Sequence, residues 1–270
     1  MNVNHSHTIS FFIIASFTLI NISSVSLAGN IKTFLRPKPH QQDNCATIKS
    51  IVKPNEFAHQ RALIIGGSRG LGEITSKLIA MGGGSVRFTY HLGVNDAMKI
   101  VRNVSSFGGD IDCFEYNTLN ANKTKIRVSL NNWSPTHLYY FATPTIIPSE
   151  NGIILKNKFY YYCDYYLFGF INLIENLSDF EIKYIFYPSS IHVDELLLNM
   201  GEYALAKYAG EKYCDFLSKK ENNFVIYRPK LPRISTDQTV SNFPVKNENA
   251  TKTKNNIGFR FLQDGQLHCS

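Results

Sequence analysis

Tyr203 and Lys207 stand four residues apart in the run Glu202-Tyr-Ala-Leu-Ala-Lys-Tyr-Ala-Gly-Glu211. At that spacing two side chains share one face of a helix. A free phenol ionises near about pH 10, and a neighbouring ammonium favours the phenolate, so such a pair can relay a proton. The spacing alone says little in a chain with 15 tyrosines. Its weight comes from two features upstream.

The first is Ile65-Gly-Gly-Ser-Arg-Gly-Leu-Gly72. The apolar run Arg61-Ala-Leu-Ile-Ile65 before it reads as a short buried strand. After it, Glu73-Ile-Thr-Ser-Lys-Leu-Ile-Ala-Met81 carries apolar residues at helical spacing, and Gly82-Gly83-Gly84 ends the helix. The glycines therefore sit on a strand-to-helix turn. Without side chains there, backbone N–H groups can approach a pyrophosphate at a helix N-terminus. Gly66, Ser68, Arg69, Gly70, Leu71 and Gly72 are the candidate binding residues. The competing reading is a structural Gly-rich turn. The second feature is Tyr184-Ile-Phe-Tyr-Pro-Ser-Ser190, a strand ending in a polar pair. Ligands of doubly wound sheets bind outside the carboxyl ends of the strands, where a Ser190 hydroxyl could bond a substrate carbonyl, with Ser189 reading as a cap or turn residue.

The elements that must position these groups are also legible. Strand-like segments at 61–66, 85–90, 111–116, 136–142, 182–187 and 223–228 alternate with helical patterns. Such alternation predicts an α/β fold with a doubly wound, Rossmann-type parallel sheet in a single domain. A chain of 270 residues with 44% hydrophobic content has enough material for one such core. The boundaries read as an apolar N-terminal segment over 1–28, a linker over 29–59, the α/β domain over 60–242 and a polar tail over 243–270.

Taken together these motifs resemble the short-chain dehydrogenase/reductase family, over roughly residues 60 to 240. They arrive in the family's order: the glycine turn, a Ser on the fifth strand, then Tyr-x-x-x-Lys on the next helix. The resemblance implies an NAD(P)-dependent oxidoreductase. Ser190 would orient and polarise the carbonyl, Tyr203 would be the general acid/base, and Lys207 would hold the nicotinamide ribose and lower the Tyr pKa. NADPH is favoured over NADH. The second strand, Ser85-Val-Arg-Phe-Thr-Tyr-His91, has no carboxylate at its end, and Arg69 in the glycine turn suits a 2′-phosphate. His91 is a further candidate at that end. The implied reaction is hydride transfer to a ketone, such as a 3-oxoacyl thioester.

Departures from the family pattern keep other readings open. The fourth strand ends in Tyr140-Phe-Ala-Thr-Pro144 instead of Asn-Ala-Gly, although Ala142 would still let the cofactor pass. Tyr166 occupies the place of the Asn that often joins the proton relay. Asn117 is the nearest candidate for the Asp that touches adenine. Arg228-Pro-Lys-Leu-Pro232 replaces a Pro-Gly turn, and Thr236-Asp-Gln-Thr239 resembles the segment that touches the nicotinamide amide. One alternative is a sugar-nucleotide epimerase or dehydratase of the extended branch, against which the glycine spacing and the small C-terminal segment argue. Another is a catalytically silent nucleotide-binding or scaffold remnant.

Phe11-Phe-Ile-Ile-Ala-Ser-Phe-Thr-Leu-Ile20 has the length of a signal peptide, with Ser26-Leu-Ala28 as a cleavage context, yet no Lys or Arg precedes it. It reads either as an export signal or membrane anchor, or as the remnant of an upstream domain. The stretch from Ala28 to Gly72 is similar to the joint between an acyl dehydratase module and a reductase module. The need for reduced NADPH favours a cytoplasmic protein. A net charge of +7 is scattered, which points to a solvated surface and not to nucleic acid. The five cysteines are widely spaced, with Cys113 and Cys163 read as buried thiols, and His5, His7 and His59 lack partners at metal-ligand spacing. The resemblance implies a small-molecule carbonyl substrate and a homo-oligomer.

Overall fold

The protein is described by a computed structural model over residues 43–120, 122–149, 152–220 and 224–232. The apolar run 11–20, the segment 236–239, the tail 243–270, His5, His7 and Cys269 lie outside the described residues.

Six strands form one parallel sheet: β1 (Arg61–Ile65), β2 (Ser85–Tyr90), β3 (Asp110–Glu115), β4 (His137–Tyr140), β5 (Tyr184–Phe186) and, after a two-residue strand β6 (Ser189–Ser190), β7 (Val225–Tyr227). Their order is β3-β2-β1-β4-β5-β7. All six expected strands are present, with ends that differ from the expected ones by at most two residues. The chain runs outward from β1 in one direction and returns to continue from β4 in the other. The β1–β4 pair is therefore the switch point, where carboxyl ends open a crevice for a ligand.

Crossover helices cover both faces. They are α2 (Gly70–Met81), α3 (Val94–Ser106), α4 (Lys123–Leu130), α5 (Lys156–Cys163), α6 (Gly169–Asn176), a short α7 (His192–Glu195) and the long α8 (Gly201–Lys219), preceded by α1 (Cys45–Ile51). Side chains alternate across a strand. In β1, Ala62 and Ile64 face a core with Ile74, Ile79, Phe88, Ile100 and Val104 from the α2/α3 side. Leu63 and Ile65 face the opposite core, with Ile126, Phe170, Leu173 and Leu217 from α4, α6 and α8. Ala62–Ile65 of β1 and all four residues of β4 are buried, as strands covered on both faces are.

Three expectations need correction. Residues 43–59, read as part of a linker, are folded. Asn44 caps α1 by accepting from the Thr47 N–H at 2.9 Å, and Cys45, Ile48, Val52 and Phe57 join the core on the α2 side. The apolar spacing of one short helix is too brief to register as periodicity. Ser190 does not belong to the fifth strand itself. Tyr187-Pro188 interrupts β5, and Ser189–Ser190 pairs with a separate strand β8 (Lys230–Leu231). Cys113, read as buried, is half-exposed, while Cys163 is buried as expected. Among the described residues no helix is long and apolar enough to cross a membrane.

Candidate functional site

The glycine turn joins β1 to α2 at the switch point. Gly66 has φ +83°, which L side chains rarely adopt, and a Cβ there would lie 3.0 Å from the backbone nitrogen of Ala142. The turns after β1 and β4 are thus packed against each other, bringing Gly66 and Ala142 together. A Cβ on Gly72 would overlap the carbonyl oxygen of Gly66, so the start of α2 can fold back on the strand only without side chains. Thr89 at the end of β2 pins the loop: its Oγ1 accepts from the Gly66 N–H at 3.0 Å and its carbonyl from the Gly67 N–H at 2.9 Å. Arg69, at the N-cap of α2, is extended and its side chain makes no capping bond. The opening amides of α2 and its positive dipole end form an anion cradle that side chains would fill, so these residues fit a pyrophosphate.

Around this cradle the other expected residues are distributed unevenly. Ser68, half-buried, lies beside the turn after β2, within reach of Gly93. The Arg69 guanidinium donates to Asp96 Oδ2 from Nε at 3.0 Å and from Nη2 at 2.7 Å. His91 is exposed in the same turn. Asn117 follows β3 and accepts from the Leu119 N–H at 2.9 Å, so its carboxamide oxygen is held by its own turn. Gly70 is buried and Leu71 half-buried at the helix start.

The second half of the site lies beyond β5. Ser190 and Tyr203 are brought together: both are buried, and the Ser190 hydroxyl is near enough to the Tyr203 phenol to act on its ionisation. Tyr203 also sits in an aromatic box. The rings of Tyr166 and Tyr162 meet it edge-on at 5.5 Å and 5.9 Å, and His192 at 6.3 Å. Burial raises the Tyr203 pKa, and the neighbouring Ser190 hydroxyl opposes that rise.

Lys207 does not lower the Tyr203 pKa as expected. Its Nζ donates to the Pro188 carbonyl at 2.8 Å and lies 4.1 Å from the centre of the Tyr166 ring and 5.3 Å from that of Tyr187. Burial lowers its pKa to about 7, against smaller raising effects of Cys214 and Glu211. The expected depression of the Tyr203 pKa by a neighbouring ammonium is therefore corrected: burial raises the phenol, and the amine is turned onto a carbonyl and two aromatic faces.

Four residues were missed or underweighted by sequence reasoning. Glu211 is buried, accepts from the Ser189 hydroxyl, and lies 3.6 Å from Arg228. With the Lys207–Pro188 bond it ties the segment 188–190 to α8. Glu202, fully buried beside Tyr203, accepts from the Ser149 hydroxyl and from the Leu155 N–H at 2.9 Å, holding the β4–α5 loop. Burial would raise its pKa, but those hydrogen bonds bring it below the ordinary carboxylate range. His192, whose Nδ1 lies 3.0 Å from Glu195, borders Ser190 and Tyr203. Asp96 was invisible because it lies past the end of β2, inside the first turn of α3. The signal for Glu202 and Glu211 was their place on the Tyr203 helix, at one and eight residues from that tyrosine.

Neither a protein-family model nor a curated protein sequence matches the chain. Solved structures do. A putative short chain dehydrogenase from Pseudomonas syringae matches with a TM-score of 0.65 at 17% identity, covering 75% of this chain and 89% of that one. A dehydrogenase/reductase from Sinorhizobium meliloti 1021 gives 0.60 at 18% identity, with 78% and 83% covered. A short chain dehydrogenase from Burkholderia cenocepacia J2315, solved with NADP, gives 0.59 at 17% identity, with 68% and 78% covered. The fold is that of the short-chain dehydrogenase/reductases.

On that fold, Tyr166, expected in the place of a relay Asn, has a definite setting. A single π-turn, Asp164–Phe168, carries Tyr166 into the core between α5 and α6. Its hydroxyl bonds Thr143 Oγ1 at 2.5 Å, and its ring face receives Lys207. Thr143 and Tyr166, both departures from the family pattern, are thus direct partners.

Proposed function

We propose that the chain is an NADPH-dependent carbonyl reductase of the short-chain type. The observation that carries this reading is the buried, neighbouring Ser190 and Tyr203 hydroxyls beyond the carboxyl end of β5, on the same rim as the Gly66–Gly72 cradle. Two hydroxyls at that rim can hold a ketone oxygen. A bound NADPH would supply the hydride. Gly66, Gly70, Leu71 and Gly72 would hold its pyrophosphate, with Ser68, Arg69 and His91 toward the adenosine end and Asn117 and Ala142 along the strand ends. Ser190 orients the carbonyl, and Tyr203 donates the proton from its hydroxyl. A phenol kept protonated by burial is suited to act as an acid. Lys207 fixes Pro188, and through it the segment carrying Ser190.

The substrate side is apolar, which supports an acyl-type ketone such as a 3-oxoacyl thioester. Exposed Ile153, Ile154 and Leu155 of the β4–α5 loop meet exposed Leu196, Leu197 and Leu198, between Ser190 and Tyr203 in the chain. The two segments touch through the Gly152 N–H, which donates to the Leu198 carbonyl at 3.1 Å.

A second reading, dinucleotide binding without turnover, is favoured by the capture of Lys207 on Pro188 and Tyr166. Titration of nicotinamide fluorescence and NADPH consumption with acetoacetyl thioester separate the two. The reductase reading expects turnover, and expects Tyr203→Phe to lose at least about 100-fold in rate while still binding NADPH. Unchanged turnover in that variant removes Tyr203 from the chemistry. Binding without turnover in the parent chain supports the second reading.

A further inference from the structure

The turn after β1 and the turn after β2 meet at the adenosine end of the cradle. A Cβ placed on Gly93 would lie 3.5 Å from Ser68 Oγ, 3.6 Å from Asp96 Oδ2 and 3.8 Å from Arg69 Nε. One small space is therefore bordered by a hydroxyl, a guanidinium and a carboxylate. Gly93 is the N-cap of α3 and supplies no side-chain cap, and Asp96 is the acidic residue of that first turn. Arg69 gives two donors to a single oxygen, Asp96 Oδ2. The pair is 46% and 39% exposed, so it is held weakly and can open when a stronger anion arrives.

We propose that Asp96 is a specificity-determining residue of the dinucleotide site: it engages the guanidinium that a 2′-phosphate needs and places a carboxylate beside that phosphate. This rests on the dinucleotide reading above and qualifies its preference for NADPH. A 2′-phosphate must displace Asp96 from Arg69 and then sit next to the displaced carboxylate. A 2′-hydroxyl instead meets an acceptor, the carboxylate, of the kind that bonds a ribose hydroxyl. The same two side chains thus set a cation for one dinucleotide against an anion for the other, and the parent chain accepts both.

The test is a fluorescence titration of NADPH and of NADH, without substrate, against the parent chain, Asp96→Asn and Asp96→Ser. Both variants delete a charge at an exposed position and are checked for folding by circular dichroism. The parent is expected to bind the two dinucleotides within about tenfold of each other. In both variants NADPH should bind about tenfold more tightly, the scale of one removed like-charge contact at a partly exposed site. NADH should bind equally or more weakly. The NADPH gain should shrink as salt is raised. An unchanged ratio of the two affinities, or weaker NADPH binding in the variants, overturns the role of Asp96 while leaving dinucleotide binding in place. Binding of neither dinucleotide to the parent chain overturns the dinucleotide reading itself, and this assignment with it.

Discussion

Lys207 exchanges the hydration of its ammonium for one carbonyl bond and two aromatic faces, and its pKa falls to about 7. The consequence for stability has a definite sign. An unfolded Lys titrates near about 10.4, so between the two values the unfolded chain holds a proton that the folded one has released. Stability from this group therefore rises with pH from about 7 and is complete only above about 10.4; toward pH 7 it is lost. Replacing the amine by an apolar side chain of similar length removes the titration. Lys207→Met should be most stabilising, relative to the parent, near about pH 6, with the gain shrinking toward about pH 10. Urea unfolding across that range measures it, and a gain independent of pH would show that the amine is not the buried titrating group. The same burial raises the Tyr203 pKa, so the two expected partners are shifted in opposite directions by one cause.

At the level of elements, the β1–α2 unit shows how backbone geometry leaves a cradle free of side chains. The turn is held from outside by Thr89 and from within by the absence of a Cβ at Gly72. Adding that one carbon forces the helix start away from Gly66. Gly72→Ala should therefore lose about 1–3 kcal/mol of stability, as overpacking does. It should also weaken NADPH binding at least tenfold, because about 1.4 kcal/mol of displaced cradle contact is enough for that. Thermal unfolding and titration of the same sample read both numbers. Retained affinity alongside lost stability would place the dinucleotide somewhere other than this turn. The β5–β6 break is a second case. Pro188 cannot donate to a ladder, so the strand stops, and Lys207 and Glu211 from α8 re-anchor the segment that presents Ser190.

On the scale of the molecule, the sheet is covered on two faces and each cover packs against different candidate residues. The α2/α3 side packs behind the Gly66–Gly72 turn, and the α5/α8 side frames Tyr203. Residues 43–57 belong to the first cover: the Phe57 N–H donates to the Gly82 carbonyl at 2.8 Å, and its ring is wholly buried. Phe57→Ala should cost about 3–5 kcal/mol, the range for emptying a buried aromatic site. A chemical denaturation curve would show it, whereas a loss below about 1 kcal/mol would return the segment to the linker first expected.

What the amino-acid sequence determined by itself was whatever depends on local order. The apolar run 61–65 marked a strand because parallel strands are buried on both sides, and the glycines of 66–72 marked a turn that side chains would block. The spacing of Tyr203 and Lys207 placed both on one helix. Only the tertiary structure decided which way Lys207 turns, that Asp96 meets Arg69, and that Glu211 reaches Ser189. Those contacts join residues from separate elements. Their strength depends on burial and on the distance between charges, and neither is a property of spacing along the chain.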